Sequence, residues 1–381
     1  MQAHYDYIIT GAGCAGLSLL MHMMQHHFFT DKQILLIDKD VKQSNDRTWC
    51  FWETSPGLFE DIVHHRWQQL DFYSNTFSAR FDIDPYTYKM IRGIDFYNYV
   101  LQRANHFTNV SFVQEEVINS RNESEIATVN TINHTYTADY VFNSIIFQPT
   151  LLQTPGSLLQ HFKGWIVETP MPTFNDRVAT FMDFRIKEKP SNTFVYVLPV
   201  SNNKALVEYT VFSPALLNKE DYDVGLQQYI QQFLNLSSYK ILDEEFGVIP
   251  MSTYSFSKGE GSIVNIGTAG GQTKSSSGFT FQFIQKHAAA IVQALMQAQT
   301  PHVNESLFDK RFRLYDDTLL NILYYQKSYA STIFSDLFKK NKPQQVLKFL
   351  DNETTVTEEL KIMITLPKIL FLPAALRQLF G

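Results

Sequence analysis

The sequence predicts an α/β fold: a Rossmann-like dinucleotide-binding domain with an inserted β-sheet substrate domain and a helical C-terminal region. Three observations predict it. The first 40 residues read as strand, glycine turn, helix and strand; residues 160–215 carry strand patterns; helical periodicity dominates 305–350. The implied segments are 1–75 and 256–300 for the dinucleotide unit and 76–255 for a mixed part with β-rich substrate-binding stretches. Residues 301–381 form the helical end.

Residues 6–10 form a short buried strand, and a helix runs from Ala15 to about Phe29. The next strand, 33–38, is almost wholly apolar, as a parallel strand covered on both faces should be. An amphipathic stretch covers 95–105, and the polar segment 119–133 reads as a hairpin. Strands are expected at 179–186, 193–200 and 204–212, the last two joined by the turn Ser201-Asn-Asn203. Helical periodicity returns at 222–236 and 281–299.

Composition narrows the function. In 381 residues, 44% are apolar, enough for a sizeable core. The 31 Phe and 19 Tyr suit a phenylalanine-rich core or a long apolar ligand tunnel. A net charge of −6 without a basic stripe argues against a nucleic-acid partner. Cys14 and Cys50 make no disulfide framework, the N-terminus carries no secretion signal, and no apolar run is long enough to span a bilayer. A cytoplasmic location is expected. His22 and His26 have metal-gripping spacing but no third ligand, so they read as a solvated helix face; His287 is left unassigned.

Gly11-x-Gly13-x-x-Gly16 stands between a strand and a helix, with Asp38 ending the next strand. Gly11 permits the tight turn, Gly13 lets the backbone approach a pyrophosphate, and Gly16 lets the helix pack on the sheet. The helix N-terminus meets the phosphate charge, and Asp38 accepts from ribose hydroxyls. Ala12 and Lys39 complete this cofactor-binding set. A second strand runs into a glycine-rich turn at Gly267, Thr268, Ala269 and Gly270, with a helix from Thr280. Two such signals far apart favour FAD, with the late helix N-terminus at the flavin.

Asn45-Asp-Arg-Thr-Trp-Cys-Phe-Trp52 resembles the lycopene cyclase family of flavoproteins. Tyr88-Lys-Met-Ile-Arg-Gly93, Met182-Asp-Phe-Arg185, Tyr196-Val-Leu-Pro199, Leu206-Val-Glu-Tyr-Thr210, Gly247-Val-Ile-Pro-Met251 and Asn265-Ile-Gly-Thr-Ala-Gly-Gly271 look like further blocks of that family, in its order, over roughly residues 5–300. The resemblance implies a hydroxylase-like FAD fold of the GR2 type. It also implies a lycopene β-cyclase, an isomerase closing the linear ends of lycopene into β-ionone rings by way of γ-carotene to β-carotene. The family uses reduced FAD, with NAD(P)H as reductant, and no net redox change. The hydroxylases' Gly-Asp at the late turn is Gly267-Thr268 here.

Ring closure needs a proton for a terminal double bond and a base for a ring proton. Glu208 shares a strand face with Leu206, Thr210 and Phe212, where desolvation would keep it protonated. The resemblance points to the same residue; the competing reading is an edge-strand glutamate in solvent. Asp183 is a second catalytic candidate, although Arg185 two positions on suggests a structural pair. Arg47 is expected to support FAD; Trp49, Cys50, Phe51 and Trp52 read as packing around it. The tail 360–381 is apolar with Lys361, Lys368 and Arg377, and Pro367 and Pro373 break it. It suits a segment in a membrane interface near Lys339, Lys340 and Lys342, or helices packed in the core. The expected partners are lycopene or a related polyene and a membrane surface. The alternatives are an isoprenoid reductase or monooxygenase with FAD, and a carotenoid carrier on a vestigial FAD fold.

Overall fold

The computed structural model describes residues 3–123, 126–152, 156–186, 192–325 and 328–380. Its first sheet forms around the N-terminal strand His4–Thr10, which pairs in parallel with Ile34–Asp38 on one side and Thr135–Asn143 on the other. Val110–Gln114 and Ile263–Asn265 extend it as further parallel strands. Residues 110–143, assigned from sequence to the mixed segment, thus complete the nucleotide-side sheet. The hairpin expected at 119–133 is the pair Val117–Glu123 and Ile126–Thr131; its tip at 124–125 lies outside the described residues.

The second sheet has seven strands among the described residues. Its order is Lys240–Met251, Leu158–Glu168, Lys204–Ser213, Asn192–Pro199, Val178–Asp183, Gln69–Tyr73 and Ser78–Asp82. Lys204–Ser213 is central, hydrogen-bonded to a strand on each side. Its alternation assigns the two faces. Leu206 and Phe212 join the large core with Phe181, Phe194 and Phe334, whereas Ala205, Val207 and Tyr209 pack beneath the helix Lys219–Gln232 through Leu226, Tyr229 and Ile230.

A small third sheet joins these two. Thr48–Glu53 runs antiparallel to Thr87–Arg92, so Thr48 faces Arg92 and Trp52 faces Tyr88. Two of the sequence blocks, 45–52 and 88–93, are therefore the two sides of one ladder. Trp49 and Phe51 point into the nucleotide-side core, where Phe51 stacks on Phe281 at 4.3 Å between ring centres. Cys50 and Trp52 turn the other way, and Trp52 Nε1 donates to the Leu347 carbonyl at 3.2 Å. Phe51 and Trp52 therefore fix the sheets to their neighbours.

The C-terminal helices Leu307–Tyr324, Ala330–Lys340, Pro343–Leu350 and Val356–Thr365 cover the apolar face of the second sheet through Ile333, Phe334, Leu337 and Leu347. Two of them begin with capping boxes, Ser306 with Asp309 and Thr355 with Glu358. The last helix, Lys368–Phe380, follows Pro367. Ile364 and Leu372 are exposed here, and Ile369 is 89% exposed. No helix of the described residues is long and apolar enough to cross a membrane.

Candidate functional site

The glycine turn has the geometry its spacing predicts. Gly11 adopts φ +95, and a Cβ there would lie 2.2 Å from Ser144 Oγ. A Cβ on Gly16 would lie 2.0 Å from the Gly11 carbonyl oxygen, so only glycine allows the helix Cys14–Met24 to sit this close. A Cβ on Gly13 would meet nothing within 4 Å, the open approach a pyrophosphate needs. Gly13 is also the residue before the helix, and no side chain caps its first-turn amides.

Asp38 is held at this turn. Its carboxylate accepts from the Ala12 amide at 2.6 Å and the Asp40 amide at 2.8 Å, with Lys42 Nζ 3.4 Å away. Lys39 is exposed, and its carbonyl accepts from Gln114.

The late turn packs directly against the first. Gly267 adopts φ +60, and a Cβ on it would approach that of Ala15 to 2.6 Å. Gly267 and Thr268 line the same cavity as Gly13. Ala269 instead faces a separate pocket beside Asn143 and Asn265, and Gly270 is buried inside the turn. The helix Phe281–Met296 starts at this cavity, which Thr280 and Phe281 line. His287 on its far side is lowered to about 4, chiefly by burial.

The shared cavity has a volume of about 450 Å³ and reaches from the two turns to the face of the second sheet. Trp49 and Cys50 line it from the small sheet; Tyr196, Leu198, Leu206 and Glu208 line it from the large one. Two polar atoms in its wall, Gln160 Oε1 and Ser277 Oγ, are buried without a hydrogen-bond partner among the described residues. An uncapped helix N-terminus at Gly13 and orphaned polar atoms in one cleft, with the Asp38 carboxylate held behind the turn, fit a dinucleotide cofactor.

Glu208 is the carboxyl in this cavity. Thr210 Oγ1 donates to its Oε1 at 2.7 Å. Burial, with the Glu245 carboxyl beside it, pushes its pKa up to about 8. Around it Cys50, Tyr88 and Tyr196 are held neutral, mainly by burial. Glu245 was not singled out from the sequence. It accepts from Thr48 Oγ1 at 2.6 Å, and its pKa is also raised by burial. The two glutamates are 37 positions apart on strands that do not pair directly, so no spacing rule connects them.

Asp183 lies elsewhere. It is fully buried, pairs with Arg185 at 2.5 Å and accepts from Tyr229 OH at 2.7 Å. Tyr229 belongs to the helix on the Tyr209 side of the sheet, so the structure does not bring Asp183 to Glu208. Arg47 lines the cavity, with Nη1 donating to the Asp46 carbonyl at 2.7 Å and reaching the Phe246 carbonyl at 3.5 Å. His22 bonds to Gln285, and no cluster of three or more metal-ligating side chains occurs among the described residues.

The family profile described as "Lycopene cyclase protein" matches residues 6–376. A lycopene beta-cyclase from Pantoea ananas is 27% identical over 264 residues, covering 66% of this chain and 64% of that protein; the match thus spans just under two thirds of the relative's length. A flavoprotein/dehydrogenase from Cytophaga hutchinsonii has the same fold, with a TM-score of 0.64 at 13% identity over 99% of both chains. A geranylgeranyl bacteriochlorophyll reductase-like protein from Thermoplasma acidophilum gives 0.60 at 12% identity, covering 100% of this chain and 99% of the other. Klebsiella pneumoniae HpxO, solved as a variant with FAD, gives 0.57 at 14% identity over 96% and 100%. The fold is that of the FAD-dependent flavoproteins.

Proposed function

Because the chain belongs to the lycopene cyclase family, we propose that it is a lycopene β-cyclase: an FAD-dependent isomerase that closes the linear ends of lycopene into β-ionone rings, through γ-carotene to β-carotene, without net redox change. The observation that carries this reading is the placement of Glu208. A carboxyl with its pKa near 8 stands in the wall of the cavity that the dinucleotide turns also line. Such a group stays protonated at neutral pH and is matched to general acid work there.

Gly11, Gly13 and Gly16 would hold the pyrophosphate, Asp38 the ribose, and Gly267 and Thr268 the flavin end. FAD, kept reduced by NAD(P)H, would supply negative charge beside a carbocation. The protein's own chemistry begins at Glu208, which gives its proton to the terminal double bond. Leu198, Leu206 and Tyr196 keep water from the cation as the new carbon–carbon bond closes. The Glu208 carboxylate then takes the ring proton, so the acid is regenerated.

The polyene itself would be drawn from a membrane surface by the exposed apolar residues Leu360, Ile364, Ile369, Leu372 and Leu376. Beneath them lies a cavity of about 280 Å³ among Leu319, Phe334, Leu337 and Phe371. Ser277 lines both this cavity and the one holding Glu208, a path suited to a long hydrocarbon.

The test is an anaerobic assay of the FAD-loaded protein with excess reductant and lycopene in liposomes. Ring-closed product of unchanged mass, formed over many turnovers and lost in Glu208→Gln, is the expected result. A product changed in mass by hydrogen or oxygen would make the chain a reductase or monooxygenase. Tight FAD binding with no product would remove the lycopene assignment.

A further inference from the structure

Gly164 faces Glu208 on one neighbouring strand and Glu245 on the other. Residues opposite one another in a sheet project from the same face, so the two glutamates belong to one row. Their strands lie about 10 Å apart, two strand spacings. A side chain at 164 would fill the gap between them. Its Cβ would come within 2.8 Å of Leu206 Cδ1 and 3.1 Å of Glu245 Cγ. With glycine there, the Glu245 side chain lies over residue 164, on the side toward Glu208, and each carboxyl acts on the titration of the other. Two carboxylates have no donor to share, so a direct contact between them requires a proton.

The remaining partners are asymmetric. Glu245 has the Thr48 hydroxyl and the nearby Arg47 charge to favour its anion, with Asp243 opposing. Glu208 has Thr210 alone, and the other titratable groups facing it, Cys50, Tyr88 and Tyr196, are neutral. The last proton therefore resides on Glu208, the member that lines the cavity.

We propose that the acid of the cyclisation is a Glu208–Glu245 pair holding one proton across the Gly164 gap, with Glu208 delivering it and Glu245 as its positioning and charge partner. The assignment rests on the cyclase reading. In the step, the Glu208 O–H bond breaks as a C–H bond forms at the terminal alkene carbon. The pair then carries two negative charges while the cation exists. The ring C–H bond breaks last and its proton returns to Glu208, so neither a proton nor an electron is consumed.

The experiment compares wild type, Glu245→Gln and Gly164→Ala in two ways. Infrared titration of the FAD-loaded protein, with Glu208→Gln as reference, reads the protonated carboxyl without substrate. The pH profile of ring closure reads it in turnover. Removing the Glu245 charge lowers the pKa of Glu208 by about one, so at pH 8 the protonated fraction falls from about half to about a tenth. Both readouts should shift down together in Glu245→Gln. If that variant does not fold, Gly164→Ala, which pushes Glu245 aside, should move the same limb. An unmoved titration in a folded variant overturns the pair. Absence of ring product from wild type, with the infrared shift present, would sink the cyclase reading and leave the pair standing.

Discussion

Glu208→Gln should make the protein more stable as the pH rises while removing the proposed proton donor. The sign follows from proton counting. Below pH 4.5 the Glu208 carboxyl is protonated in both folded and unfolded chains and contributes nothing. Between 4.5 and its raised value of about 8 it is ionised in the unfolded chain and protonated in the folded one. The unfolded chain then binds fewer protons, so stability falls with rising pH until the folded carboxyl ionises as well. At about 1.4 kcal/mol per pH decade, the interval sets a ceiling of about 5 kcal/mol at pH 8. Glutamine is isosteric, still accepts from Thr210, and does not titrate. The assay is urea unfolding of both proteins at pH 5, 6.5 and 8. The stability of the variant relative to wild type should grow across this series by at least about 1 kcal/mol. A constant difference would mean that Glu208 ionises normally and is not a buried acid.

Gly16→Ala should prevent correct folding, because its Cβ would meet the Gly11 carbonyl oxygen at 2.0 Å, whereas Gly13→Ala, whose Cβ would meet open space, should fold with the Tm of FAD-free wild type and lose bound FAD on gel filtration. Lys89 is almost fully buried and bridges Glu53 at 2.6 Å and Glu60, so Lys89→Met should cost about 2 kcal/mol in chemical denaturation by removing their shared cation, although Glu60 keeps Arg66 and Glu53 keeps Gln282. Ile369→Asp combined with Leu372→Asp should leave Tm unchanged and reduce co-sedimentation with liposomes by about tenfold or more, since both side chains are exposed and each removes about 1.5 kcal/mol or more of apolar transfer. Equal sedimentation would mean that this tail carries no membrane contact.

The dinucleotide turn was legible in the sequence because its requirements are local. A strand, three glycines and a helix act within a dozen residues; Gly16 answers to Gly11 five positions away and Gly13 to open space, while Gly11 also answers to its own positive φ. Glu208 was legible for a similar reason: strand alternation alone puts it on the face of Leu206 and Phe212, and that face is the large core. What alternation does not give is the strand's position in the sheet, which decides between a solvated edge and the centre. Glu245 was illegible because its partner is reached through a third strand. Its strand is mostly exposed, with Glu244 and Phe246 on the surface, so nothing in the local pattern marks one glutamate among four acidic positions in 243–245 and 208. The swap of Ala269 and Gly270 away from the cavity has a local cause: the turn tightens into a single 3-10 bend, and only its first two residues face the nucleotide side.

The division of labour between the sheets explains how an acid and a dinucleotide come to share a cavity. The turns must lie at the carboxyl ends of parallel strands, where helix N-termini and free amides collect. Such ends are polar and open to phosphate, a poor place to hold a carboxyl protonated. An antiparallel sheet with one face in a phenylalanine-rich core offers the opposite environment, and Glu208 projects from that face. The small sheet Thr48–Glu53 with Thr87–Arg92 joins the two: Trp49 packs toward the nucleotide side, Thr48 donates to Glu245, and Cys50 borders Glu208. One six-residue strand thus sets the distance between the cofactor cleft and the acid, which is why the Asn45–Trp52 block touches both halves of the site.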